Sequence, residues 1–191
     1  MRKLFLLVAL MAFSFSLFAQ TVWKADPNHS YLGFKVKHMG IATVPGNFNK
    51  YNVTITSAKE DFSDAVVEMT AEISSIDTRV EARNNHLKSA DFFDAEKYPT
   101  MYFKSISIKR DDHNDYKVTG NLTMHGITKM VTIEMEYNGT TKGGNGGQVA
   151  GFDISAKIKR SDFGIGGGFP SGVISDEVKI NAYGEFSPKK D

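Results

Sequence analysis

The sequence contains no cysteine. That excludes disulfides, thiolate chemistry, Cys-based zinc sites and a lipid-modified N-terminal Cys, so stability has to come from a packed core. Charge of one sign is also missing: 23 Lys and Arg face 22 Asp and Glu. A balance this close gives no reason to expect a polyanionic partner such as nucleic acid. Beyond residue 19 there is no apolar run long enough to cross a membrane as a helix. No Gly-x-Ser-x-Gly nucleophile elbow occurs, and no glycine-rich loop is followed by Lys-Ser/Thr, so hydrolase and phosphate-loop signatures are absent. There is no internal repeat and no low-complexity tail.

What is present begins with a leader. Arg2 and Lys3 precede an apolar stretch from Leu4 to Phe18, and Ala19 offers a small residue for cleavage, although Leu17 occupies the −3 position. Residues 1–19 therefore read as a cleaved signal peptide. Residues 20–191 then form one domain, large enough to bury a core and without a stable membrane span.

Most of that domain alternates apolar and polar residues with a period of two. Val22–Ala25 and Ser30–His38 read as strands separated by the turn residues Asp26-Pro27-Asn28. Met39–Pro45 reads as a turn or irregular edge, Phe48–Thr56 as a third strand, and Ala58–Asp64 as a polar connection. Further strands are expected at Ala65–Ser74, Met101–Arg110, Tyr116–Met124, Ile127–Tyr137, Val149–Lys159 and Glu177–Phe186. Each is apolar on one face only, which demands a shared interior. The fold class is all-β: an antiparallel barrel of about eight strands, with strand lengths that disfavour a sandwich.

One segment breaks the pattern. From Thr78 to Asp94 nothing alternates, and Thr78 and Glu81 have capping-box spacing, so a short inserted helix is expected from Arg79. Phe92-Phe93 follows it. A single helix and an aromatic pair in a β chain read as a lid over one mouth of the barrel. A barrel of this size is either filled by its own side chains or holds one small ligand. Small inward residues (Ala71, Gly120, Ala156, Ala182, Gly184) beside Met69, Met124 and Met135 lean toward a cavity, yet ordinary core packing explains them as well.

Several segments together carry a family resemblance. His29-Ser30-Tyr31-Leu32-Gly33-Phe34-Lys35-Val36-Lys37-His38-Met39-Gly40 is one; Arg83 with His86-Leu87-Lys88-Ser89, then Phe92-Phe93-Asp94, Tyr98-Pro99 and Phe103, is another. Gly120 to Lys129, Arg160-Ser161-Asp162-Phe163-Gly164 and Ser175-Asp176-Glu177-Val178 complete the set. In order and spacing, from about Val22 to Ser187, the chain resembles the YceI-like lipid- or polyisoprenoid-binding family. The resemblance implies a lipocalin-like barrel, periplasmic or secreted, that holds a long isoprenoid or other amphipathic lipid in its lumen without catalysis or a cofactor. Two departures stand out: Asn84 follows Arg83 where the family commonly has Asp, and Pro45 precedes Gly46-x-Phe48.

The lumen candidates are Phe34, Val36, Leu122, Met124, Val131 and Ile133, with Phe152, Ile154 and Phe163 from the later strands and Phe92 and Phe93 at the mouth. Arg83, His86 and Arg160 are candidates for an anionic head group, since Arg matches phosphate geometry; an internal salt bridge from Arg83 to an Asp of the following loop is the competing role. His29, His38, His86 and His125 lack helical metal-ligand spacing, and no metal is assigned to them. Gly143–Gly147 reads as a hairpin tip, and Gly164–Gly172, which carries Ile165 and Phe169, as a mobile flap at the entrance. Enzyme or metal chemistry, and a barrel acting through protein contacts such as a homodimer, remain as alternatives.

Overall fold

The computed structural model describes residues 19–189; the expected signal peptide lies almost wholly outside them. The strands are β1 (Thr21–His38), β2 (Ala42–Phe48), β3 (Tyr51–Ser57), β4 (Val66–Glu72), β5 (Ile76–Asp77), β6 (Thr100–Asp112), β7 (Asp115–Met124), β8 (Ile127–Lys142), β9 (Gln148–Lys159) and β10 (Glu177–Pro188). One helix, α1 (Glu81–Lys88), lies between β5 and β6, and a 3-10 turn at Arg160–Phe163 follows β9.

Antiparallel pairing runs β1–β3–β4–β6–β7–β8–β9–β10 and returns to β1, with Phe34 opposite Ile180 in the closing pair. Eight strands thus close on themselves. β2 continues the neighbour of β1 where β3 leaves it, pairing Gly33–His38 with Ala42–Asn47, and β5 adds a two-residue extension to β2. Between β8 and β9 the pairing extends toward the mouth only as far as Glu134 with Ser155. The 3-10 turn at Arg160–Phe163 touches both strands, and His125 Nδ1 meets the Phe163 carbonyl oxygen at 2.9 Å.

Three expectations need correction. The break at Asp26-Pro27-Asn28 is a bulge inside one 18-residue strand. Asp26 absorbs the irregularity by accepting the Asn28 N–H at 2.8 Å, while Ser30 Oγ donates to its carbonyl at 2.6 Å. Residues 42–45 belong to a strand despite Pro45, because β2 has β1 as its only partner there and an edge tolerates a missing N–H. The helix starts at Glu81, not Arg79, and Val80 caps it without a side-chain bond. Thr78 cannot cap it: its hydroxyl donates to Asn84 Oδ1 at 2.7 Å, and Arg79 sits at φ 62°.

The two ends of the barrel differ. At the closed end, where β1 begins and β10 ends, aromatic rings fill the lumen. Phe62 lies 5.3 Å from Trp23, 5.0 Å from Tyr137 and 4.9 Å from Phe152, and Phe152 lies 5.4 Å from Phe186 (ring centroids). Phe62 comes from the β3–β4 loop and enters the barrel as a plug, at φ 57° and 1% exposure. Asp64 clasps that loop, accepting from the Ser57 hydroxyl and from the Ala58 N–H at 3.0 Å. Above this layer, Phe103 lies across β7 at Gly120, where an added Cβ would come within 2.6 Å of its ring. The space that Gly120 leaves is therefore taken by Phe103.

Candidate functional site

Toward the mouth the lumen is hollow. A cavity of ≈ 370 Å³ lies between the barrel wall, α1, the Phe92-Phe93 pair and the β9–β10 loop, within the range of about 300–1,000 Å³ typical of small-molecule sites. Its wall is built by the inward faces of the strands: Leu32, Phe34 and Val36 on β1, Leu122 and Met124 on β7, Ile158 on β9, and Val178 and Ile180 on β10. Only His38, Thr78, Arg83, His86 and Arg160 bring polar side chains to it. The arrangement favours an apolar chain with at most one polar end.

The lid is aromatic. Phe92 stacks on Phe169 of the β9–β10 loop at 4.9 Å, and His86 of α1 meets both rings edge-on at 5.0 and 5.6 Å. Phe93 packs edge-on against Phe48 at 6.2 Å, and Phe48 tilts against Phe34 at 5.9 Å. Gly166 allows the lid to close: its φ is +64°, and a Cβ there would lie 2.8 Å from the Phe92 ring.

Arg160 holds this lid down. It is 7% exposed, and its five N–H groups all point to backbone carbonyls. Nη1 donates to Ile165 at 3.0 Å and Gly166 at 2.6 Å, Nη2 to Phe169 at 2.5 Å and Ile174 at 3.2 Å, and Nε to Ser175 at 3.3 Å. The glycine-rich loop is therefore strapped at both flanks, with Gly167 and Gly168 in open space. With every donor engaged, the Arg160 guanidinium borders the cavity without being free to bind a head group.

Arg83 differs. Nε donates to Thr78 Oγ1 and Nη2 to the Thr78 carbonyl, each at 2.8 Å, and the expected ion pair with an Asp of the following loop does not form. Among the described residues Nη1 has no protein hydrogen-bond partner, and the Arg83 side chain borders the cavity. Asn84 supports the arrangement, accepting the Thr78 N–H at 2.8 Å and donating to Asp77 Oδ1 at 3.0 Å. The Arg79 N–H and then the Asn84 amide hold the Asp77 carboxyl below its usual range. An Asp at 84 would repel Asp77, so the amide suits this chain. His86 pairs with Asp91 at 3.1 Å.

Of the lumen candidates, Phe34, Val36, Phe92, Phe93, Leu122 and Met124 border the cavity, with Arg83, His86 and Arg160 beside them. Val131, Ile133 and Ile154 are half-buried against the core beside the splayed part of β8 and β9, Phe152 belongs to the closed-end aromatic cluster, and Phe163 is buried in the 3-10 turn. Val44, Leu87, Met101 and Ile174 also line the cavity, as does Met69, which the alternation already turns inward; Val44 is hidden in sequence because Gly40 and Pro45 make its strand read as a turn. The histidines do not converge, and no cluster of three His, Asp or Glu side chains suited to a metal occurs among the described residues.

The sequence model of the YceI-like domain matches residues 23–186. The chain belongs to the YceI family. A UPF0312 protein of Staphylococcus aureus is 36% identical to this YceI-family chain over 170 residues, covering 85% of the chain and 95% of the relative. The crystal structure of the Campylobacter jejuni YCEI protein superposes with a TM-score of 0.74 at 35% identity, over 81% of this chain and 90% of that one. A polyisoprenoid binding domain from Saccharophagus degradans has the same fold at 13% identity, with a TM-score of 0.64 over 90% and 100% of the two chains.

Proposed function

We propose that this YceI-family protein is an exported carrier, periplasmic or secreted, that holds one chain of a long isoprenoid or other amphipathic lipid in the mouth half of its barrel. The observation that carries the reading is the apolar cavity under a strapped aromatic lid. Each methylene moved there from water contributes about 0.8 kcal/mol, so a chain of modest length needs no polar machinery to bind. Arg83 is the group assigned to the polar end of the cargo, because it borders the cavity with donors to spare. The proposed role is binding without catalysis. Support comes from the polyisoprenoid binding named for the Saccharophagus degradans domain and from the character of the cavity wall.

Native mass spectrometry of protein purified from the exported fraction tests the reading. The expected spectrum carries a bound apolar mass that is released by organic solvent. A bare polypeptide mass, after offering isoprenoid alcohols and phosphates, contradicts it. Finding the protein in the cytoplasm alone contradicts export.

A further inference from the structure

The near-zero net charge conceals a row of lysines on one wall of the barrel. Strand register places Lys35 of β1 opposite Lys179 of β10, and Lys179 opposite Lys157 of β9. All three are exposed on the outer wall around the cavity, and among the described residues none has a carboxylate within ion-pair distance. Lys37 and Lys159 extend the patch toward the rim; Lys37 Nζ donates to Thr43 Oγ1 at 2.9 Å, and Lys159 has acidic neighbours in Glu177, opposite it, and Asp176. Like charges directly opposite one another destabilise a sheet, and this row repeats the conflict across two strand pairs. At the closed end the register sets Asp115 opposite Glu136 and Glu136 opposite Asp153, and there Lys109, opposite Lys117, has carboxylates nearby: Lys117 pairs with Asp111 at 2.7 Å.

Apolar side chains project from the rim just beyond the lysines. Ile41 is 86% exposed, Met39 56% and Val173 36%. They form one edge, since the Met39 N–H donates to the Val173 carbonyl at 2.9 Å and His38 bridges to Ile174. Exposed apolar tips beside unpaired lysines match an interface that is oily at its centre and anionic at its surface.

We infer that the mouth of the barrel docks on an anionic lipid bilayer through Lys35, Lys157 and Lys179, with Ile41, Met39 and Val173 entering the headgroup layer. Docked in this way, the lid faces the membrane, and cargo passes between bilayer and lumen without crossing water. The inference goes beyond cargo binding and is tested without cargo, so either can fail alone.

The test is sedimentation of the purified protein with vesicles of phosphatidylcholine and phosphatidylglycerol in equal parts, against phosphatidylcholine alone. Binding is expected to the mixed vesicles and to fall away near 1 M salt, where screening acts within about 3 Å. The variant K35Q/K157Q/K179Q is expected to bind roughly a hundredfold more weakly, from about fivefold per lysine near an anionic surface. Its melting temperature should be unchanged or higher, because the opposed charges are gone. The matched variant K24Q/K109Q/K142Q, with the lysines removed from the closed end, should bind like the wild type. Ile41→Asn should weaken binding in a way that salt does not restore. Equal binding to neutral vesicles, equal loss in both triple variants, or capture of soluble polyphosphate without vesicle binding would each overturn the inference.

Discussion

The two halves of the barrel are made from the same strands and differ in what occupies the space between them. β7 shows this most plainly. Its Tyr116 and Val118 are sealed at the closed end, at 1% and 0% exposure, while Leu122 and Met124, two and three pleats further on, border the cavity. Alternation is continuous from one half to the other. The difference comes from outside the strands: the closed end receives Phe62 from a loop, and the mouth receives a lid that stops short of filling it. A barrel wall specifies an apolar interior, and the connections decide whether that interior is solid.

Removing the plug should have the largest effect. Phe62→Ala is expected to cost on the order of 3–5 kcal/mol in urea unfolding while leaving lipid uptake at the mouth intact. A loss of uptake equal to the loss of stability would merge the two halves into one unit. Next comes the strap. Arg160→Met orphans buried carbonyls of the β9–β10 loop and should cost on the order of 3 kcal/mol. It should also open the Gly166–Gly172 segment to proteolysis; resistance equal to the wild type would show that Arg160 does not hold the lid.

A pair of enlargements on one strand sharpens the contrast. Val118→Phe overfills the packed end and should cost about 1–3 kcal/mol. Leu122→Phe enters free space, should leave stability within about 1 kcal/mol, and should abolish the bound lipid mass. Equal destabilisation by both would show that the mouth half is as tightly packed as the other.

The smallest expected effect is on acid stability. Burial raises the Asp64 carboxyl, but hydrogen bonds from Ser57, Ala58 and Lys59 outweigh it and leave the group below its ordinary value. Its contribution is therefore present above the unfolded carboxylate value near 3.9 and is lost as pH falls through the lower folded value. The acid limb of a urea midpoint curve should flatten in Asp64→Asn, with amide exchange near Phe62 changing before exchange near Leu122. An unchanged acid limb would show that the clasp does not hold the plug.

The all-β class and most strand faces were legible because burial on one side leaves a period of two, as in β7 and β9, and the lid because it breaks that period. The bulge at Asp26 and the strand through Pro45 were not legible, since both carry turn residues whose misfit is absorbed by local hydrogen bonds or by a free edge. The division into halves was invisible in the alternation. Its clue was a lone Phe62 between Asp61 and Ser63 in a polar connection, where no local role explains it. Five of the proposed lumen residues, Val131, Ile133, Phe152, Ile154 and Phe163, do not border the cavity. They sit at strand centres, in the closed-end cluster and in the 3-10 turn, while the open space lies nearer the mouth. The lysine row escaped composition because the acidic ladder of Asp115, Glu136 and Asp153 offsets it in the sum.

The most direct measurement is a methyl-labelled NMR titration with a soluble isoprenoid alcohol. Leu122, Met124, Ile158 and Val178 methyls are expected to shift together with ligand, while Ile55, Val67 and Val118 stay fixed. Shifts spread through the closed end, or no shift at saturating ligand, would contradict a barrel that is solid below and open to lipid above.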